Sequence, residues 1–389
     1  MGKKLLLFMF CFILTLGFAG CKKKAAEPKV EMIEGVTYIH NLSTPLHPNK
    51  AVSFEEEFTF KEKDESGEIR LFKPFRYVID DKDNVYISDE SDMAIKVFDL
   101  QRKYLRTIGR KGNGPGEFET IGDMAFLPDG RLLVTDYQTR RTSFFSPDGQ
   151  FISSFQWKKF YSRVYLTSHT SYTVNENVFS EEKTELWIKT IDFSGEDLLT
   201  FGKFTFPEMK TLRQGNIAFV TSVPWSPSSI FAGDQKRQWL YHCLNDKFLI
   251  EIYDQQGRLF RKIDRPYTPL PVTSEDIQKF RSRYEERPDS PFAKLAKEME
   301  LPKVKTVAER LLVDSDGNLW VETNEERKEG EKTFKAYDIF NPEGFYDATV
   351  WPELTPGLFA NGKMYRMAED EQTGMRLLKR YRVVWSENK

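Results

Sequence analysis

An all-β fold, a six-bladed β-propeller of four-stranded blades with a short helical insert, is what this sequence predicts, on three observations. The first is an internal repeat. Moving residues 79–108 forward by 47 positions sets Ile79 on Phe126, Val85 on Leu132, Ile87 on Val134, Asp89 on Asp136, Phe98 on Phe145 and Leu105 on Ile152 with no gap. The second is the content of each copy: two hairpins of β-rich runs, which is four short strands and therefore one blade. The third is composition, since 32 Phe, 16 Tyr and 7 Trp make up 14% of 389 residues, and aromatic side chains favour half-buried pleated surfaces.

In chain order, the first element is not part of the fold. Met1–Lys4 carries two lysines, Leu5–Leu16 is apolar, and Gly17, Ala19 and Gly20 are small residues just before Cys21. This pattern predicts an export signal over residues 1–20, because the apolar run falls short of the roughly 20 residues a spanning helix needs. Residues 21–50 contain Lys, Glu and Pro with weak periodicity and read as a tether. The folded body then covers residues 51–389. Val52, Phe54, Phe58 and Phe60 alternate with polar residues and predict a strand that closes the last blade.

The best-defined blades fall near 75–109 and 118–155, with Asn84–Asp89 and Arg131–Asp136 as second strands. Each run follows a turn cluster, Asp81-Lys82-Asp83 or Pro128-Asp129-Gly130. Weaker copies are marked by an apolar residue followed by a turn ending in glycine, at 145–149, 191–195, 253–257 and 340–344. They place further blades near 163–202, 215–264, 304–351 and 357–387. At about 47 residues per blade, six blades leave about 87 residues for the tether and the insert, whereas seven would leave about 40, too few for both. The insert over 264–303 is the helical stretch. Thr273 caps a predicted helix over 274–287 with Asp276 reaching back, and Ser290-Pro291 opens a second that runs to Met299.

Charge narrows the function. Lys plus Arg number 57 and Asp plus Glu 59, a net charge of −2, which argues against a nucleic-acid partner. Of the three cysteines, Cys11 leaves with the signal and Cys21 lies at its end, so Cys243 is the single thiol of the body and no internal disulfide is expected. Its setting, Trp239-Leu240-Tyr241-His242-Cys243-Leu244, predicts a small buried side chain rather than a nucleophile.

Two resemblances enter here. The small residues followed directly by Cys21 resemble the lipobox of bacterial lipoproteins, with Phe18 departing from the usual leucine. The resemblance implies a lipid on Cys21, membrane attachment through it, and a place in the bacterial cell envelope. Lys22 after the lipid site further implies the outer membrane. Gly112-Asn113-Gly114-Pro115-Gly116-Glu117-Phe118, after Tyr104–Gly109, is similar to the inter-blade link of NHL-repeat proteins, and the chain as a whole resembles six-bladed β-propeller lipoproteins of bacteria. Physically, the glycines allow φ > 0 and Pro115 fixes φ in a tight link between blades. A phosphate-binding loop is excluded, because no Lys-Ser/Thr follows and no helix opens after it.

Catalytic parts are scarce. His40 and His47 lie in the tether, His169 and His242 in the body, and no His-x-x-x-His, Cys-x-x-Cys or Gly-x-Ser-x-Gly motif occurs. No catalytic, cofactor-binding or metal-binding residue is assigned, and no cofactor is expected. Asp89 and Asp136, which recur at matched places, are read as carboxylates that stabilise turns. The sequence therefore favours a lipid-anchored, non-catalytic binding or scaffold module for a protein, peptide or glycan. The alternative is a calcium-dependent lactonase-like hydrolase or lyase acting in the central channel, the chemistry of some propellers of this broad class.

Overall fold

The computed structural model describes residues 27–60, 67–68, 70–179, 184–285, 290–371 and 373–387. The expected signal and lipid site, residues 1–20 and Cys21, lie outside the described residues. The chain begins with β1 (Lys29–Ile33), β2 (Val36–His40) and β3 (Lys50–Phe60). Blade 1 is β4 (Pro74–Ile79), β5 (Val85–Asp89), β6 (Ala94–Phe98) and β7 (Tyr104–Ile108). Blade 2 is β8 (Met124–Phe126), β9 (Leu132–Asp136), β10 (Arg141–Phe145) and β11 (Phe151–Gln156). Blade 3 is β12 (Tyr161–Thr167), β13 (Ser171–Phe179), β14 (Thr184–Asp192) and β15 (Asp197–Phe204). A separate hairpin, β16 (Met209–Gln214) and β17 (Ile217–Ser222), precedes blade 4, which is β18 (Ser229–Asp234), β19 (Trp239–Leu244), β20 (Leu249–Tyr253) and β21 (Leu259–Asp264). After the helices α1 (Ser274–Ser282) and α2 (Pro291–Glu298) comes blade 5, β22 (Arg310–Val313), β23 (Leu319–Glu329), β24 (Lys332–Phe340) and β25 (Tyr346–Val350). Blade 6 is β26 (Leu358–Ala360), β27 (Lys363–Glu369) and β28 (Arg376–Glu387), with β3 as its fourth strand. The fold is the predicted six-bladed β-propeller.

The ring closes as expected, by pairing an N-terminal strand with a C-terminal one: β28 and β3 are antiparallel from Leu378↔Phe60 to Glu387↔Lys50. The pairing covers the edge of β28 that would otherwise be open to another chain. The apolar core is divided among the contacts between blades. Tyr86, Ile95 and Val97 of blade 1 pack on Leu132 and Val134 of blade 2, for example. Trp320, Ile339 and Val350 of blade 5 pack on Val52, Phe54 and Phe359 of blade 6.

The turn glycines seen in the sequence have a common role at these contacts. Gly149, Gly195, Gly257 and Gly344 all have positive φ, between +72° and +98°. A Cβ on each would run into the outer strand of the preceding blade: Ile108, Phe155, Leu199 and Ile263 respectively. The motif is therefore required twice, once by the backbone and once by the close approach. The inter-blade link behaves in the same way, since a Cβ at Gly109 would meet the Phe118 ring at 2.2 Å. Glu117 Oε2 accepts the Gly114 amide at 2.8 Å and folds the link onto itself.

Three sequence expectations need correction. The first is the tether over 21–50, much of which is folded. β1 and β2 form a hairpin whose turn, Glu34-Gly35, has positive φ at both residues. β2 then lies parallel to β21, which extends blade 4 to six strands. Asn41 donates its Nδ2 to Gly344 O at 3.1 Å and accepts the Tyr346 amide at 2.8 Å. His40 bonds Asp264 at 2.8 Å, and His47 bonds Asp347 at 2.7 Å. All these partners are more than 200 residues away in sequence, so local composition could not reveal them. The second correction is blade 4, which starts at Ser229 and not near 215; residues 209–222 form the extra hairpin. The third is α1, which ends at Ser282, short of residue 287. Its last turn tightens, as Tyr284 and Glu285 amides bond only three residues back. Both helix starts are as read from sequence: the Thr273–Asp276 capping box and the Ser290 cap with Pro291 in the first turn are present. Among the described residues no helix is long and apolar enough to cross a membrane.

Candidate functional site

Each blade presents its first strand to the central channel, so the side chains lining the channel are set by strand register. The ladders pair Tyr77 with Ile87, Met124 with Val134, Val164 with Val174, Ile230 with Cys243, Leu311 with Val321 and Leu358 with Tyr365. In blades 1, 2, 3 and 5, where the paired second-strand residue faces the preceding blade, the residues one step earlier share one tier of the ring: Arg76, Asp123, Arg163 and Arg310. Arginine therefore recurs in blades 1, 3 and 5, which a six-bladed ring sets roughly 120° apart.

A cavity of about 450 Å³ opens at this tier, lined by Arg76, Arg163 and Arg310 together with Tyr137, Tyr165, Phe231, Asn175 and Ser229. The three guanidinium groups differ in how they are held. Arg310 is committed: it reaches Glu322 at 3.0 Å, Tyr337 Oη at 3.2 Å and Pro356 O at 2.9 Å. Arg76 is loosely held, with Asp123 at 3.9 Å and a buried Nε that has no hydrogen-bond partner among the described residues. Arg163 is exposed to the cavity and has no ion-pair or hydrogen-bond partner for its guanidinium among the described residues. Asp123 itself is partly engaged, since its Oδ2 accepts the Val164 amide at 2.9 Å. Asn175 Oδ1 is likewise buried and unpartnered. Tyr137 donates to Ser162 O and is thereby fixed against the wall.

A second cavity, about 560 Å³, adjoins the first at Glu309, which lines both. Its walls come from the segment after β17, from α1 and from the loops of blades 4 and 5. They include Trp225, Phe280, Lys279, Arg283, Lys305 and Lys335. The insert thus does two things. Its apolar side packs Phe280, Ala296 and Met299 on Val223, while Lys279, Phe280 and Arg283 of its first helix face the cavity. Two of the three carboxylates lining it are tied to cations, Asp276 to Lys305 at 2.7 Å and Glu309 to Lys335 at 2.6 Å; the third, Glu326, has no ion pair among the described residues. Burial works against the Asp276 charge, but Lys305 and the Thr273 cap hold its carboxyl below the ordinary range. Burial likewise opposes the Lys335 ammonium, yet Glu309 and Glu322 keep it above the usual lysine value.

The residues singled out from sequence lie elsewhere. Asp89 and Asp136 are fully buried and act as the turn carboxylates expected of them. Asp89 accepts the Phe72, Lys73 and Ser91 amides, and Asp136 accepts those of Glu119, Gln138 and Thr139. Each ties the loop entering a blade to the end of that blade's second strand. Cys243 is 1% exposed, and burial pushes its thiol up to about 12, which removes it as a nucleophile. His242 lies against Phe204 and Phe231, bonded to Glu251 at 3.1 Å and Ser229 Oγ at 3.0 Å. His169 is exposed on a loop. Among the described residues no three His, Cys, Asp or Glu side chains converge as a metal site. The arginine tier escaped sequence reading. A signal was present, since Arg76, Arg163 and Arg310 each precede an apolar strand residue, but it becomes visible only when the strands are in register.

Comparison with known proteins agrees with the fold. The DUF5128 family, described as a 6-bladed beta-propeller, matches residues 68–213. Among solved structures, the chain is similar to a protein from Bacteroides fragilis that is named as an exported one, at 11% identity and a TM-score of 0.49, covering 90% of this chain and 100% of that one. It is also similar to a member of the DUF4221 family from Bacteroides vulgatus, at 11% identity and a TM-score of 0.44, covering 88% and 98%. Virginiamycin B lyase from Staphylococcus aureus matches at 8% identity and a TM-score of 0.38, covering 79% and 94%.

Proposed function

We propose that the protein is a non-catalytic binding module of the bacterial cell envelope, held at the outer membrane by a lipid on Cys21, and that the face bearing the helical insert receives a protein, peptide or glycan. The observation that carries this reading is the chemistry of the two joined cavities. They offer aromatic rings (Trp225, Phe280, Tyr137, Phe231) and cations on a rim, the mix that binding surfaces favour. Of the carboxylates lining them, Asp276 and Glu309 are held in ion pairs rather than free for acid–base chemistry.

Two arms test the reading. Cys21→Ser is expected to release the protein from the membrane fraction, because acyl chains supply the affinity for the membrane. Retention of the variant at high salt would remove the lipid anchor. For binding, envelope glycans and peptides are screened against the wild type and against Trp225→Ala/Phe280→Ala. A ligand bound by the first and lost by the second supports the mouth as the site; turnover of that ligand would instead make the protein an enzyme.

A further inference from the structure

We infer that the arginine tier of the channel is an anion subsite, built to receive a carboxylate or phosphate group of the ligand. The inference deepens the binding reading above by naming the chemistry of what is bound. Four observations carry it. First, the tier is not charge-balanced: Arg76, Arg163 and Arg310 stand against Asp123 alone, and Arg310 is neutralised by Glu322 from the adjacent strand. Second, the imbalance falls on the cavity, where the Arg163 guanidinium has no ion-pair or hydrogen-bond partner among the described residues and Arg76 is held by a 3.9 Å contact with Asp123 and by the Phe75 ring at 4.9 Å. Third, the wall behind them is not fully satisfied, since Arg76 Nε and Asn175 Oδ1 are buried without a hydrogen-bond partner among the described residues. Buried polar groups are ordinarily paired, and an unpaired one asks for an explanation. Fourth, the repetition of arginine at one register position in alternate blades directs the cations at a shared axis, whereas a solvated surface charge has no reason to repeat in this way.

Like charges confined to a narrow opening repel one another, and arginine meets carboxylate and phosphate with a planar fork of donors. An anion entering the cavity would relieve the repulsion by taking up the donors of Arg163, which is exposed to the cavity. Tyr137, Tyr165 and Phe231 give ring faces beside it for the rest of the ligand.

The test uses the full chain and three probes at matched ionic strength: inorganic phosphate, D-glucuronate and neutral glucose. Calorimetric titration is expected to show saturable binding of at least one anion and none of glucose. Binding of phosphate alone assigns the subsite to phosphate, and binding of glucuronate alone assigns it to carboxylate. Arg163→Gln is expected to weaken the bound anion at least tenfold, while its melting temperature without ligand stays equal to wild type or rises, since one repelling charge is gone. That second readout separates a ligand-binding arginine from a structural one. Absence of binding by both anions, unchanged binding by Arg163→Gln, or a lowered ligand-free melting temperature would each overturn the inference. The mouth variant Trp225→Ala/Phe280→Ala should keep its anion binding, so failure of the mouth and failure of the tier are told apart.

Discussion

Replacing Gly344 by alanine isolates the role of the turn glycines in holding neighbouring blades together. At Gly344 φ is +98°, and a Cβ would lie 2.8 Å from Cδ1 of both Ile263 and Ile39. Gly330 is the control: its φ is +61° and nothing lies within 4 Å of the position of its Cβ. Alanine at Gly330 enters the left-handed region at a cost of roughly 1–2 kcal/mol. At Gly344 the same backbone cost is joined by overpacking, typically about 1–3 kcal/mol. Because the two contacts are with the ends of isoleucine side chains that can turn aside, the lower half of that range is expected, an excess of about 1–2 kcal/mol over Gly330→Ala. Urea unfolding followed by the fluorescence of the seven tryptophans measures the difference as a shift in midpoint at constant slope. Truncating Ile39 to alanine should recover part of the Gly344→Ala excess, a non-additivity expected only of residues in contact. Equal losses for the two glycines, or strict additivity with Ile39→Ala, would refute the account of close approach.

Two further outcomes follow from the N-terminal segment and from His242. A chain starting at residue 27 should melt like the wild type, one starting at 42 should melt lower because β21 loses its parallel partner and Asn41 its bonds to blade 5, and one starting at 61 should fail to fold as a monomer because β28 is left unpaired; identical melting of the last two would remove β3 as the closing strand. The Glu251 carboxyl is lowered to about 2, first by its hydrogen bond to His242 and then by Lys262. Its depressed value contributes stability that is fully present above the unfolded value of 4.5 and is lost as pH falls from there toward 2. This contribution is at most about 3 kcal/mol, and Glu251→Gln should flatten the melting temperature against pH between 4.5 and 2; an unchanged pH dependence there would refute it.

How much the sequence revealed depended on whether the signal was local. The Asp89 and Asp136 match, the glycine turns and the Thr273 capping box each carry a local signature or recur at a fixed spacing, and all were legible, although the aspartates and glycines also reach residues farther along the chain. The first two blades were clear because each turn has an Asx-type or glycine device in sequence. In blade 1, Asp80 Oδ1 accepts the Lys82 and Asn84 amides, and Asp314 repeats the device in blade 5. The β1–β2 hairpin was not legible, for its turn is Glu34-Gly35 rather than the Asn-Gly or Asp-Gly that marks a tight hairpin, and its partners on blades 4 and 5 are remote. The candidate site was harder still. No one of Arg76, Arg163 and Arg310 differs from an ordinary strand-end arginine, and their meaning lies in a register that spans 234 residues.

That register also bears on why such a cluster persists. An unopposed guanidinium in a confined channel lowers stability, so the positions of Arg76 and Arg163 would favour neutral side chains if folding alone were at stake. Where the chain does need a cation for structure it encloses it. Arg265 is bonded to Asp338 at 2.9 Å and set against Phe248, Tyr267 and Tyr346 at 4.6 to 5.0 Å, and Arg310 is bound to Glu322, Tyr337 and Pro356. Arg163 has no such enclosure. The contrast within one molecule, between arginines that are fully satisfied and one that faces an open cavity with its donors free, is what a binding role explains and a structural role does not.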